Sequence, residues 1–373
     1  MWEPALQAKL REQGSLLRND REKDMDFTFT EDQLLFQESV RDFLVNEIAP
    51  EKIRELWESD SGRSTALWSQ LAELGLTGIT VPEAFGGLGM QALDFVLLAQ
   101  ECGYVALPAP LVHTAMVSVP LLVSSGSEPL QENWLPKIAA GDAIVMVGLE
   151  QNVFVEDAHI ADLLILEKAG ALYAVDPSQA TLRANESIDL SRKLFAVEFD
   201  AANAEKIAEG DQAAGLIAAA LNGGALGVAA ESLGLAQRMV DISVQYTSER
   251  KQFGVAIGTF QAVKHHMANI AYKLEYAKAP AARAAYAIDH QQSKVDMAVS
   301  HVKLAACEVA NLAAKNCIQV HGAMGYTWEV DLHIYMKRAW AYANTWGDAA
   351  FHKQRVADFV LADSAKLGAG NTF

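Results

Sequence analysis

Arg250-Lys-Gln-Phe253-Gly254-Val-Ala-Ile257-Gly-Thr-Phe260-Gln261 closes one long Ala-rich tract and opens another. Phe253-Gly254 enforces a turn, and helical patterning resumes near Gly258. A guanidinium beside such a loop suits bidentate capture of a diphosphate, and Phe253 can stack on an aromatic ring. The competing reading is a solvated basic helix end, favourable to the macrodipole, followed by a buried phenylalanine.

Working outward, helical periodicity covers 211–247, 258–288, 292–320 and 330–361, and four long segments with short connections predict a bundle. Upstream, Ile144–Val147, Ala161–Leu166, Ala171–Val175 and Leu194–Phe199 are short apolar runs bounded by turn residues, as strands are. Further upstream the pattern is helical again: Thr30 and Gln33 have capping-box spacing, Ser64–Leu74 stops at Gly75, and Leu93–Cys102 follows a glycine-rich loop at Pro82–Gly89. Helices, then strands, then helices give an α+β fold without Rossmann alternation. The expected units are an extension at 1–25, with Met25 as an alternative start, a helical domain at 26–142, a short β domain at 143–205 and a four-helix bundle at 206–373.

A net charge of −17 disfavours a phosphate backbone, so nucleic acid is not an expected partner. Cys102, Cys307 and Cys317 have no metal-like or CxxC spacing and read as buried, reduced thiols of a cytoplasmic protein. No secretory signal is expected. Residues 213–230 are almost uncharged, but glycines and Asn222 interrupt them, which favours a buried helix over a membrane span. Within that helix Gly223-Gly224-x-x-Gly227 is costly by up to about 1 kcal/mol per glycine. Close packing through small residues compensates for that cost; so does room for a bulky ligand. His265-His266 and His301 lack the carboxylate spacing of a metal site, and His265 is expected to be structural. Trp340, Tyr342 and Trp346 read as an aromatic core stripe.

The segment from Arg250 through Ile257 to Phe260-Gln261 resembles the RxxFGxxIxxFQ pattern of acyl-CoA dehydrogenases. Gln319-Val-His321-Gly322-Ala-Met-Gly325-Tyr326-Thr-Trp-Glu329 resembles that family's QxHGGxGYTxE, with Ala323 at the usual second glycine, and Pro82–Gly89 resembles its VPExxGGLG turn. The resemblance covers roughly residues 26–362. It implies a cross-subunit FAD site in which Arg250, Phe253, Gln261, Gln319 and Gly322 meet the adenosine-diphosphate half of a neighbour's cofactor, and Gly322 lets backbone approach closely.

Other parts of the family's pattern are missing. The flavin-cradling TEPxxGSD loop corresponds here to Gly148–Asp157, which lacks the Pro-Gly-Ser run. The family's base removes the α-proton of a thioester and must lie within hydrogen-bond reach of it. Its usual position is Trp346, before Gly347; the position used by some relatives is Gly224, beside Ala225 where a basic residue often helps to bind substrate. Asp348, Glu231 and Asp241 are the nearby acids that could replace the base, although such acids are usually caps or solvated charges. Three readings follow. The chain resembles the non-catalytic subunit of heterotetrameric (α2β2) dehydrogenases acting on steroid side-chain CoA thioesters. There a sister subunit supplies the glutamate and most of the acyl-CoA site, and electron-transfer flavoprotein or a similar protein is the acceptor. The alternatives are a homomeric dehydrogenase with a relocated base and a non-enzymatic scaffold.

Overall fold

Thr30 opens the first helix as its spacing predicts: Thr30 N donates to Gln33 Oε1 at 2.8 Å and Gln33 N donates to Thr30 Oγ1 at 3.3 Å. The structure, a computed structural model, describes residues 28–365, so the reading of residues 1–25 lies outside it. Helix α1 (Glu31–Glu47) buries Phe36, Val40 and Leu44, the i, i+4 face of an amphipathic helix. After α2 (Pro50–Trp57), Ser64 caps α3 (Thr65–Glu73), accepting from Leu67 N at 3.1 Å. The glycine-rich loop that follows is a turn by necessity, because a Cβ on Gly87 would stand 2.1 Å from Val81 O. Beyond it lie α4 (Ala92–Tyr104), α5 (Leu111–Ser124, with a π turn at Thr114–Ser118) and α6 (Glu128–Ala140).

The β region holds seven strands in two sheets. Four were legible in the sequence: β1 (Val145–Gly148), β3 (Leu163–Lys168), β4 (Ala171–Val175) and β6 (Leu194–Phe199). Also present are β2 (Val155–Glu156), β5 (Ala180–Asn185) and β7 (Glu205–Ala208). One sheet runs β1-β3-β4-β7, with β1 parallel to β3, and the other runs β2-β6-β5. Strands β5 and β7 escaped sequence reading because they are largely solvent-facing and lack an apolar run.

The C-terminal bundle is built on α7 (Gly210–Glu249), which is long and apolar enough in composition to cross a membrane but is sheathed here by α4, α5 and the helices that follow. Gly223, Gly224 and Gly234 serve packing. An added Cβ would lie 2.0 Å from Met116 O at Gly223, 2.3 Å from the Trp346 ring at Gly224 and 1.9 Å from Gln100 O at Gly234. A two-residue β8–β9 hairpin (Lys251–Gln252, Val255–Ala256) leads to α8 (Gln261–Asp289) and α9 (Val295–His321). The expected fourth helix, 330–361, is two: α10 (Leu332–Tyr342) and α11 (Ala349–Val360). Trp346 and Gly347 break it, with φ of +58° and +89°. The aromatic stripe is correspondingly incomplete. Tyr342 and Trp346 are buried, whereas Trp340 is 37% exposed.

Candidate active site and flavin face

Trp346 is 6% exposed, and its indole lies where helix α7 passes with Gly224. Its backbone N donates to Asn152 Oδ1 at 2.9 Å, and its carbonyl is held by His352 Nε2 at 2.9 Å. The strained turn is therefore tied on both sides. The Gly148–Asp157 stretch meets the Trp346 backbone through Asn152. The two positions expected of the family's catalytic acid meet here, and they are an indole and the glycine that makes room for it. The packing reading of the α7 glycines holds, and Trp346 is the bulky group accommodated at Gly224.

Behind the indole, between α5, α7 and α10, the free cavity is only about 50 Å³. A ligand pocket is ordinarily about 300–1,000 Å³. Buried charges occupy the space. Arg63 from the segment before α3 meets Asp157, with Nε at 3.0 Å from Oδ2 and a terminal nitrogen 2.6 Å from Oδ1. Arg192 Nε donates to Glu156 Oε2 at 3.0 Å, and Arg338 of α10 pairs with Asp189. Tyr342 Oη donates to Glu231 Oε1 at 2.9 Å. The cluster thus ties the N-terminal helices, the β region and the bundle together. Also bordering Trp346, between Gln151–Phe154, Arg192 and Asn344, a space of about 420 Å³ opens outward.

The charge balance of the cluster depends on Glu231. Arg63, Arg192 and Arg338 face Glu156, Asp157, Asp189 and Glu231, so three cations meet four potential anions. Burial pushes the Glu231 carboxyl up to about 7, against the pull of Arg338. Burial also works to raise Glu156, but Arg192, Arg338 and Arg63 overcome it and hold the carboxyl below its usual range. At Asp157 burial prevails over Arg63, and the carboxyl lies above its usual range. His113 accepts from Val147 N at 3.0 Å, and burial depresses it to about 4, so it stays a neutral acceptor.

Of the candidate replacement bases, Asp348 caps α11, accepting from Phe351 N at 2.8 Å. Asp241 accepts from Tyr104 Oη at 2.9 Å. Both follow the ordinary cap or hydrogen-bond role. Glu231 departs from the expectation of an exposed acid near a helix end: it is mid-helix, buried and within the cluster. Spacing alone could not show this, because nothing around Glu231 in sequence marks an inward-facing acid.

The second set of candidates lies at one end of the bundle. Arg250 follows the last turn of α7, its N–H bonded to Tyr246 O at 2.9 Å. Tyr246 stacks on His321 with ring centroids 4.3 Å apart, which brings the Arg250 segment beside the end of α9. Phe253, at φ +52°, is 93% exposed, so the reading of a buried phenylalanine fails. Gln261 begins α8 and is exposed, as are Gln319 and Gly322. Gly322 sits at φ +60° and ψ −137°, with nothing within 4 Å of an added Cβ. An exposed guanidinium, an exposed ring and a bare backbone turn fit a flat, diphosphate-bearing cofactor approaching from outside this chain. His265, expected to be structural, is exposed on α8 instead. Cys102, Cys307 and Cys317 are buried free thiols, as expected.

Residues 30–142 match the profile of the acyl-CoA dehydrogenase N-terminal domain, and residues 214–361 that of the C-terminal domain. The chain belongs to the acyl-CoA dehydrogenase family, a family of FAD-dependent dehydrogenases. It is 31% identical over 319 residues to acyl-CoA dehydrogenase IpdE2 of Mycolicibacterium smegmatis, covering 85% of this chain and 95% of that protein. Among solved structures, butyryl-CoA dehydrogenase from Megasphaera elsdenii superposes with a TM-score of 0.79 at 21% identity, covering 91% of this chain and all (100%) of that one. The ChsE4-ChsE5 complex from Mycobacterium tuberculosis gives 0.77 at 23% identity, covering 92% of this chain and 100% of that one. These likenesses establish the fold.

Proposed function

We propose that this chain is the non-catalytic subunit of a heteromeric acyl-CoA dehydrogenase. It supplies the cross-subunit half of an FAD site, and a sister subunit supplies the glutamate that takes the α-proton of the thioester. The observation that carries the reading is the contrast between the two sites. The inward site holds an indole and buried ion pairs in place of an acid and an acyl chain. The outward face presents Arg250, Phe253, Gln261, Gln319 and Gly322.

When bound, FAD supplies the hydride acceptor for α,β-dehydrogenation. This chain's own residues orient it. Arg250 neutralises the diphosphate, Phe253 stacks on an aromatic face, and the bare turn at Gly322 allows close approach. The 31% relationship to an acyl-CoA dehydrogenase supports the reaction class, and the fold shared with the ChsE4-ChsE5 complex supports a paired assembly. The substrate class that fits this assembly is a CoA thioester, with a steroid side chain as the specific expectation, and electron-transfer flavoprotein or a similar protein is the expected acceptor. A homomeric enzyme based on Glu231 is less well supported, because that carboxyl faces about 50 Å³ of free space.

Visible absorbance gives FAD per chain for the protein purified alone and co-expressed with a dehydrogenase-like partner. An empty chain alone and about one FAD per heterodimer support the proposal. A full complement in the isolated chain would overturn it. Arg250→Ala is expected to strip FAD from the assembly while leaving the subunits associated.

A further inference from the structure

A second cavity, far larger than the space behind Trp346, lies between α1, α4, α7 and α8, about 580 Å³ in volume. Its floor exists because α4 and α7 touch through glycines. An added Cβ on Gly103 would meet Glu231 O at 2.0 Å, and one on Gly234 would meet Gln100 O at 1.9 Å. Where those backbones meet, α1 and α8 rise as walls. Phe29, Leu34, Leu97, Leu233 and Ala282 give the cavity an apolar body.

Its polar wall has unused hydrogen-bonding capacity. Glu101 is 3% exposed; its Oε1 accepts from Gln37 Nε2 at 2.5 Å, while its Oε2 accepts no hydrogen bond among the described residues. Arg41 Nε stands 3.5 Å from that oxygen, too far for a good hydrogen bond, with the guanidinium braced 4.1 Å over the Tyr104 ring. A buried carboxylate oxygen left without a partner is costly. Of the two cations on this wall, Arg41 faces Glu101, and Lys278 is paired with Glu275, outside the lining, at 2.5 Å.

We propose that this cavity binds a neutral, largely apolar molecule carrying one hydroxyl group. The hydroxyl lies beside the Arg41–Glu101 pair, accepting from Arg41 and donating to the Glu101 carboxylate, and the hydrocarbon body lies on Leu97 and Leu233. A carboxylate would face Glu101, and an ammonium would face Arg41, so neither isostere matches the wall. The site is independent of the flavin face and of the reading of Trp346.

Calorimetric titration of the full chain with 1-adamantanol, 1-adamantanecarboxylate and 1-adamantanamine tests this. Saturable binding is expected to be tightest for the alcohol. Two variants localise it. Ala279→Trp plugs the mouth from an exposed position, and Arg41→Met removes the donors while keeping an apolar stem. Each is expected to weaken binding at least about tenfold, the scale of a hydrogen bond to a charged group. No saturable binding to the unaltered chain, an equally tight acid or amine, or unaffected Arg41→Met and Ala279→Trp proteins would overturn the proposal.

Discussion

Replacing Glu231 by glutamine isolates the one acid whose protonation balances the buried cluster. In the folded chain burial lifts this carboxyl from 4.5 to about 7. Between those values the folded state holds a proton that the unfolded chain releases, so stability falls as pH rises through the interval and is flat above it. At about 1.36 kcal/mol per pH unit the loss amounts to about 3 kcal/mol, a large share of a domain's stability. The amide side chain introduced by Glu231→Gln keeps an oxygen to accept from Tyr342 and cannot ionise, so the variant lacks this loss. Below pH 4.5 the two proteins should have similar urea midpoints. By pH 8 the variant should be the more stable, by about 3 kcal/mol. Comparing the pair cancels the titrations that do not depend on Glu231. A gap that does not change with pH would refute the raised carboxyl. A gap that turns against the variant at high pH would show that Glu231 is ionised and stabilised by Arg338.

Two further perturbations follow from the packing. On α7, Gly234→Ala should cost about 3 kcal/mol, because its Cβ would lie 1.9 Å from backbone. Gly215→Ala on the same helix has nothing within 4 Å and should stabilise by up to about 1 kcal/mol, so thermal midpoints moving in the same direction would refute the packing account. Trp346→Glu places an acid where the family's pattern has one, yet the isolated variant should show no acyl-CoA-dependent dye reduction, because the chain alone lacks a complete FAD site and the ion cluster still fills the space behind residue 346. Turnover by that variant would show that the indole alone had silenced the chain.

What the sequence made legible depends on how far each signal reaches. The Thr30–Gln33 cap, the stop at Gly75 and the period of α7, α8 and α9 are local, and they stand where their spacing placed them. The break between α10 and α11 was missed because Trp346 carries no sign of a positive φ. Tertiary bonds from Asn152 and His352 hold that conformation, and they come from 194 and 6 residues away in the chain. Strands β5 and β7 lacked an apolar pattern, and the inward turn of Glu231 was invisible for the same kind of reason. Its partners Tyr342 and Arg338 are on another helix. The absence of an acid at Trp346 and Gly224 was plain from spacing; what replaced the acyl pocket was not.

The division between inward and outward sites is itself informative about assembly. A chain that had lost function by drift would be expected to lose exposed groups first, because surface substitutions are usually nearly neutral. Here the exposed Arg250, Phe253, Gln319 and Gly322 match the family's pattern, and the buried space behind Trp346 is filled by ion pairs. That filling is coherent. Glu156 and Arg192, Asp189 and Arg338, and Asp157 and Arg63 are matched pairs contributed by separate segments, and breaking one such buried pair costs about 3–5 kcal/mol. A solvent-facing turn that leaves Phe253 93% exposed gains nothing from folding alone. Under the proposed function, burial against a sister subunit and its cofactor would supply what that aromatic ring lacks in the isolated chain.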